Sequence, residues 1–139
     1  MSLNRELLAD RVAIIEQHLG RVMDQLPPYP EGLHPMTDAS DSVILHLWQA
    51  VQLVFDLAAL ACLQFRLGTP QNYGDIFSRL AEAGYLKTEV AARLAQAADL
   101  HQTIAHAYNT LDMERVHQAA REGPADLRAF LAALQERIS

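Results

Sequence analysis

The chain has 139 residues, half of them apolar and a fifth charged, with six glycines, six prolines and a formal net charge of −6. That length suits one domain over 1–139, and the composition excludes a disordered, collagen-like or mucin-like chain. The acidic balance argues against a general nucleic-acid coat, whose binding rests on a cationic surface, and leaves room for a small local basic site.

From Leu8 the apolar positions run Leu8, Val12, Ile15, Leu19, Val22 and Leu26, at spacings of four and three. These spacings put one face of a long helix inward, capped at its start by Asn4 or Ser2 and stopped by Pro27-Pro28. Four prolines between Pro27 and Thr37 make that stretch a loop. A second helix starts near Asp38 or Asp41, either a plausible N-cap, and runs to Leu67, where Gly68 and Pro70 end it. Its length and apolarity raise the question of a membrane span. His46, Gln49, Gln52, Asp56, Gln64 and Arg66 interrupt every window of about 20 residues that a span needs. It reads as a central helix buried on more than one face. Cys62, the one cysteine, lies in this helix among apolar residues and reads as a buried structural thiol.

A short third helix runs from about Tyr73 to Ala83 and ends at Gly84. Thr88 and Glu89 open a fourth that runs towards Tyr108. Asp112 caps a fifth that ends at Gly123-Pro124, and Asp126 or Ala125 opens a sixth reaching Ile138. No segment alternates as a strand does. The expected fold is all-α, an antiparallel bundle of about five to six helices. No charged-then-apolar leader opens the chain, so a soluble, cytoplasmic protein is expected.

The chemistry-bearing residues are sparse. Six histidines stand at 18, 34, 46, 101, 106 and 117. His101 and His106 are five apart, about 140° around an ideal helix, so they do not form a paired metal site on one face. Glu114-x-x-His117 matches half of the di-iron pattern of helical bundles, and no second copy exists. Solvated helix-face residues are the default reading for these groups, and no metal or cofactor is expected. There is no phosphate-cradling glycine loop, nucleophile elbow or His-Glu-x-x-His. What remains is Leu100-His101-Gln102-Thr103-Ile104-Ala105-His106-Ala107-Tyr108. Here His101 and Tyr108, seven apart, share a helix face, which core packing or a dimer seam explains as well as chemistry does.

The run from Leu67 to Gly84, with Pro70-x-x-Tyr73, Phe77-x-x-Leu80 and Ala83-Gly84, resembles the segment preceding the site in HepT-type proteins of the HEPN superfamily. That family then carries Arg, usually Asn, three further residues, His, any residue and Tyr, followed by an Asp-centred cap such as Leu111-Asp112-Met113-Glu114-Arg115-Val116. The resemblance covers nearly the whole chain. It implies the toxin half of a toxin–antitoxin pair, acting as a homodimeric, metal-independent ribonuclease. The implied partner is a minimal nucleotidyltransferase that modifies the motif tyrosine. Residue by residue, His106 matches the catalytic histidine and Tyr108 the modified tyrosine and substrate contact. Gln102 stands at the asparagine's place as a further substrate contact. His101 stands where the family has arginine.

Cleaving RNA without metal needs an acid, a base and a cation near the developing phosphorane charge. Arginine is always charged, whereas histidine near its ordinary pKa of about 6.5 is mostly neutral at pH 7. His101 therefore stands either as a second acid–base group or as a cation raised by bound phosphate. Two other classes compete with the ribonuclease: an inactive interaction module that binds, or is adenylylated by, a nucleotidyltransferase, and a plain helical dimer.

Overall fold

The computed structural model describes residues 2–138, so the first and last positions of the expected 1–139 domain lie outside it. Helix α1 spans Arg5–Gln25, and the Asn4 side chain accepts a 2.8 Å hydrogen bond from the Leu7 amide. Of the two expected caps, Asn4 is the one used. α1 stops at the prolines, and a single 3-10 turn, Pro30–Gly32, lies in the proline-rich loop. Helix α2 covers Asp38–Gln64 and is capped by Thr37, whose hydroxyl accepts from the Ser40 amide at 3.2 Å. Asp38 and Asp41 lie in its first turn instead, where their carboxylates favour the positive end of the helix dipole.

The end of α2 also differs from expectation. Arg66, at φ 58°, takes the left-handed position assigned to glycine, with Leu67 N–H bonded to Cys62 O at 2.9 Å and Arg66 N–H to Leu63 O at 3.2 Å. Gly68 is needed for another reason. Its φ is 89°, and a Cβ there would stand 2.7 Å from the Arg79 guanidinium, which donates to Leu67 O at 2.9 Å. Helix α3, Tyr73–Glu82, ends as expected with Gly84 at φ 85° and Tyr85 N–H on Leu80 O at 2.9 Å. Helix α4 is Thr88–His106, with Lys87 rather than Thr88 at its N-cap.

The expected fifth and sixth helices are one helix. α5 runs Met113–Arg137 straight through Gly123 and Pro124, capped by Asp112, whose carboxylate accepts from the Glu114 amide at 3.0 Å. A proline inside a helix costs about 3 kcal/mol, through the bond it cannot donate to Ala120 O and the clash its ring makes there. The buried stripe Val116, Ala120, Pro124, Leu127, Leu131 and Leu134 keeps helical spacing across the break. Burying a large aliphatic side chain is worth about 1.5–3 kcal/mol, so the apolar groups on the two sides together outweigh the proline.

Four helices pack round α2, which touches each of them, and no strand occurs among the described residues. Phe55, Leu57, Phe77, Phe130, Ile15 and Leu19 are the largest fully buried side chains of the core. α2 is long and apolar enough to cross a membrane by length and composition, and half of that apolar window is buried against its neighbours. Cys62 is buried, with Sγ 3.7 Å from Ile76 O, and burial pushes its thiol pKa up. Two histidines tie α1 to α2. Nδ1 of His18 and Nδ1 of His46 are 2.9 Å apart, so one ring donates and the other accepts. Across the bundle Arg128 forks onto Glu16 at 2.9 and 3.1 Å, and Arg93 meets Asp126 at 2.8 Å.

Candidate active site at the α4–α5 corner

α4 directs His101 and His106 to different sides, as their spacing requires. His101 points inward and is only 8% exposed. Its ring stacks on Trp48, with centroids 4.5 Å apart and planes 8° apart. Phe55 and Tyr73 meet it edge-on at 5.2 and 5.9 Å. Trp48 also donates from Nε1 to the His101 carbonyl at 3.1 Å, so one indole holds both ring and backbone. Nε2 of His101 is buried without a hydrogen-bond partner. Burial pushes this imidazole below its ordinary pKa of 6.5, with the Asp56 charge acting weakly the other way. The ring is therefore neutral near pH 7. This aromatic box works against the expectation that His101 lends positive charge to a phosphate, because the low dielectric opposes the cation.

The shared helix face of His101 and Tyr108 is corrected as well. α4 ends at His106, Ala107 departs from helical geometry at φ −142°, ψ 44°, and Tyr108–Thr110 forms a 3-10 turn. His106 is exposed at the last residue of α4. Tyr108, 36% exposed, turns back across the fold so that its hydroxyl donates to Oδ1 of Asp41 in the first turn of α2. Partial burial and the neighbouring carboxylate raise the phenol to about 12. Thr110 N–H on Ala107 O at 3.1 Å and the Asp112 cap of α5 hold the far side of the turn. Gln102 is exposed and opens onto a cleft with Asn72 and Tyr73 between α3 and α4. The structure thus gathers His106 and Tyr108 at one corner and sends His101 into the interior.

Other histidines depart from the solvated reading. His117 is 4% exposed and donates from Nε2 to Pro27 O at 2.7 Å, fastening α5 to the loop after α1. Among the described residues no group of three His, Cys, Asp or Glu side chains is placed to hold a metal. Trp48 and Asp41 are the residues that sequence reasoning missed as part of the site. Trp48 lies in the apolar stretch of the second helix with no motif to single it out, and Asp41 read as a candidate cap. No local pattern links them to partners 53 and 67 residues away.

A family model described as ribonuclease HepT-like matches residues 30–134, which is most of the chain. The chain belongs to the ribonuclease HepT-like family. The resemblance read from Leu67–Gly84 and the His106-x-Tyr108 pattern is thereby borne out. The chain is similar to the mRNA nuclease HepT of Shewanella oneidensis, 24% identical over 128 residues that cover 91% of this chain and 94% of the relative. In three dimensions it resembles a chain of a toxin–antitoxin crystal structure with AMP-PNP, at a TM-score of 0.86, 21% identity and coverage of 95% and 99%. It also resembles a chain of the complex of a tri-AMPylated Shewanella oneidensis HEPN toxin with its MNT antitoxin, at a TM-score of 0.82, 24% identity and coverage of 96% and 99%. These structural likenesses establish that the chain has the fold of HEPN toxins. His106 and Tyr108 stand at the exposed corner, whereas His101, at the position that the sequence resemblance gives to arginine, is buried and stacked on Trp48.

Proposed function

We propose that this chain is the toxin of a toxin–antitoxin pair, a cytoplasmic, metal-independent endoribonuclease that works as a homodimer and is silenced by adenylylation of Tyr108. The observation that carries the reading is the exposed corner of a HepT-like fold, which presents His106 and Tyr108 two residues apart. His106 acts as the acid–base group, taking the 2′-hydroxyl proton or supplying one to the leaving 5′-oxygen. One chain offers one such histidine at this corner, and a two-fold dimer brings a second, so that base and acid come from different protomers. The small residues Ala97, Ala98 and Ala105 on α4 suit that close approach.

His101 serves as a positioning residue, locking the last turns of α4 through Trp48. The charge that the family's arginine provides comes from elsewhere. Arg93 is paired with Asp126, whereas Arg115 is exposed in the first turn of α5, the guanidinium nearest to His106 along the chain. The partner is a minimal nucleotidyltransferase, by analogy with the MNT antitoxin bound to the similar tri-AMPylated toxin.

A second reading, an interaction module without nuclease activity that is adenylylated by the same partner, draws support from the burial of His101 in the arginine's place. RNA cleavage by the purified protein, assayed with and without EDTA and in His106→Ala, separates the two. The ribonuclease reading expects EDTA-resistant cleavage that falls by roughly 10²–10⁴-fold in the variant. Cleavage that EDTA abolishes, or that His106→Ala leaves intact, refutes the mechanism. No cleavage of any RNA together with efficient adenylylation establishes the module.

A further inference from the structure

The contact between Tyr108 and Asp41 goes beyond holding a turn in place. We propose that Asp41 is the general base for adenylylation of Tyr108, taking the phenolic proton as the tyrosyl oxygen attacks a nucleoside triphosphate held by the partner enzyme. The inference rests on the reading of Tyr108 as the modified residue.

Three observations support it. The Tyr108 hydroxyl already donates to Asp41 Oδ1, so the proton lies on the path it must travel. Tyr108 is 36% exposed, so the partner enzyme can approach the residue from solvent while its proton is directed at the carboxylate. The backbone that carries Asp41 is also held in place. Asp41 N–H bonds to Thr37 O at 2.9 Å, and the Thr37 and Ser40 hydroxyls both reach the His34 carbonyl at the start of α2. Finally, the chemistry needs a base. A phenol that ionises at about 12 supplies almost no phenolate at neutral pH, so its proton must leave during the attack. A carboxylate accepting the proton of an attacking hydroxyl is the arrangement used when protein kinases transfer phosphoryl groups.

The step balances. A lone pair on Tyr108 Oη forms the bond to the α-phosphorus, and the bond from that phosphorus to the oxygen bridging towards the β-phosphate breaks. Pyrophosphate leaves with the electron pair, and the phenolic proton moves to Asp41. The modified oxygen no longer carries a proton to donate, so adenylylation also severs the tie between the Tyr108–Thr110 turn and α2. The new phosphodiester anion beside the Asp41 carboxylate then pushes that turn away.

The test measures initial rates of adenylylation by intact mass, using the full chain, the partner nucleotidyltransferase and ATP between pH 6 and 9. Asp41→Asn keeps the shape and an acceptor but cannot take a proton. Its rate is expected to fall about 10²-fold and to rise about tenfold per pH unit, while the wild-type profile stays flat. Asp41→Glu, which restores a carboxylate, is expected to recover much of the rate and the flat profile. An Asp41→Asn rate equal to wild type, or a reduced rate with a flat profile, overturns the role of Asp41. Tyr108→Phe keeps the two failures apart: loss of modification there supports the tyrosine assignment, whereas unchanged modification overturns both that assignment and this proposal.

Discussion

Replacing His101 by phenylalanine is expected to stabilise the protein, and by more in acid. In the structure the imidazole is stacked between Trp48 and the edges of Phe55 and Tyr73, and its Nε2 is buried with no partner. A buried polar atom left unpaired costs about 1–3 kcal/mol, and phenylalanine keeps the stack while removing that atom. Phenylalanine is the larger ring, and overpacking a core costs about 1–3 kcal/mol where there is no room. Here a cavity of about 50 Å³ lies along the same wall, lined also by Leu47, Val51 and Leu100, and takes up part of the excess. The net gain at pH 7.5 is about 1 kcal/mol, or a Tm increase of about 4 °C for a domain of this size.

The pH dependence follows from burial. In the unfolded chain His101 protonates near 6.5, and in the fold it does so only at lower pH. Its contribution to stability is therefore whole above 6.5 and is lost as pH falls from there to the lowered folded value, at up to about 1.4 kcal/mol per pH unit. Urea melts of wild type and His101→Phe at pH 7.5 and 5.5, followed by circular dichroism, read both effects. Comparing the two proteins cancels the contribution of the His18–His46 pair. A variant less stable than wild type by more than about 1 kcal/mol, with the same difference at both pH values, would refute the reasoning. It would mean that the imidazole makes a favourable contact at Nε2.

His101→Arg, although it restores the family's residue, is expected to lower stability by several kcal/mol, because it forces an unpaired guanidinium into the aromatic box. A melt at or above the wild-type Tm would contradict the box. Pro124→Ala is expected to raise Tm by several degrees, since it returns the amide that bonds Ala120 O and removes the ring clash. A lowered Tm would show that the proline ring contributes more packing than the helix loses. Light scattering at micromolar concentration is expected to return twice the 15.5 kDa chain mass. Stable interfaces bury on the order of 1,600 Å² and persist at that dilution, so a monomer would refute the two-protomer active site.

Most of the bundle was legible in the sequence because helical periodicity, caps and turns are local. The four-and-three spacing of α1, the Gly84 terminator and the Asp112 cap each depend on neighbours a few residues away, and each stands where the pattern put it. The family likeness was legible for a similar reason, since the His106-x-Tyr108 spacing that helps to carry it is short. Tertiary packing decided the rest. Gly123-Pro124 is a local stop signal, and it yields to a buried stripe that only the assembled core rewards. Thr37 rather than an aspartate caps α2 because its hydroxyl also finds Ser40 and the His34 carbonyl in the folded loop. The character of His101 was decided at the longest range. A histidine in an arginine's place can be a cation or a neutral ring, and the outcome depends on what surrounds it. Trp48, Phe55 and Tyr73 arrive from other helices to enclose it, and Asp41 arrives from 67 residues away to hold Tyr108. Dielectric environment and hydrogen-bond partners belong to the fold, so the protonation states at this corner are set only once the helices have met.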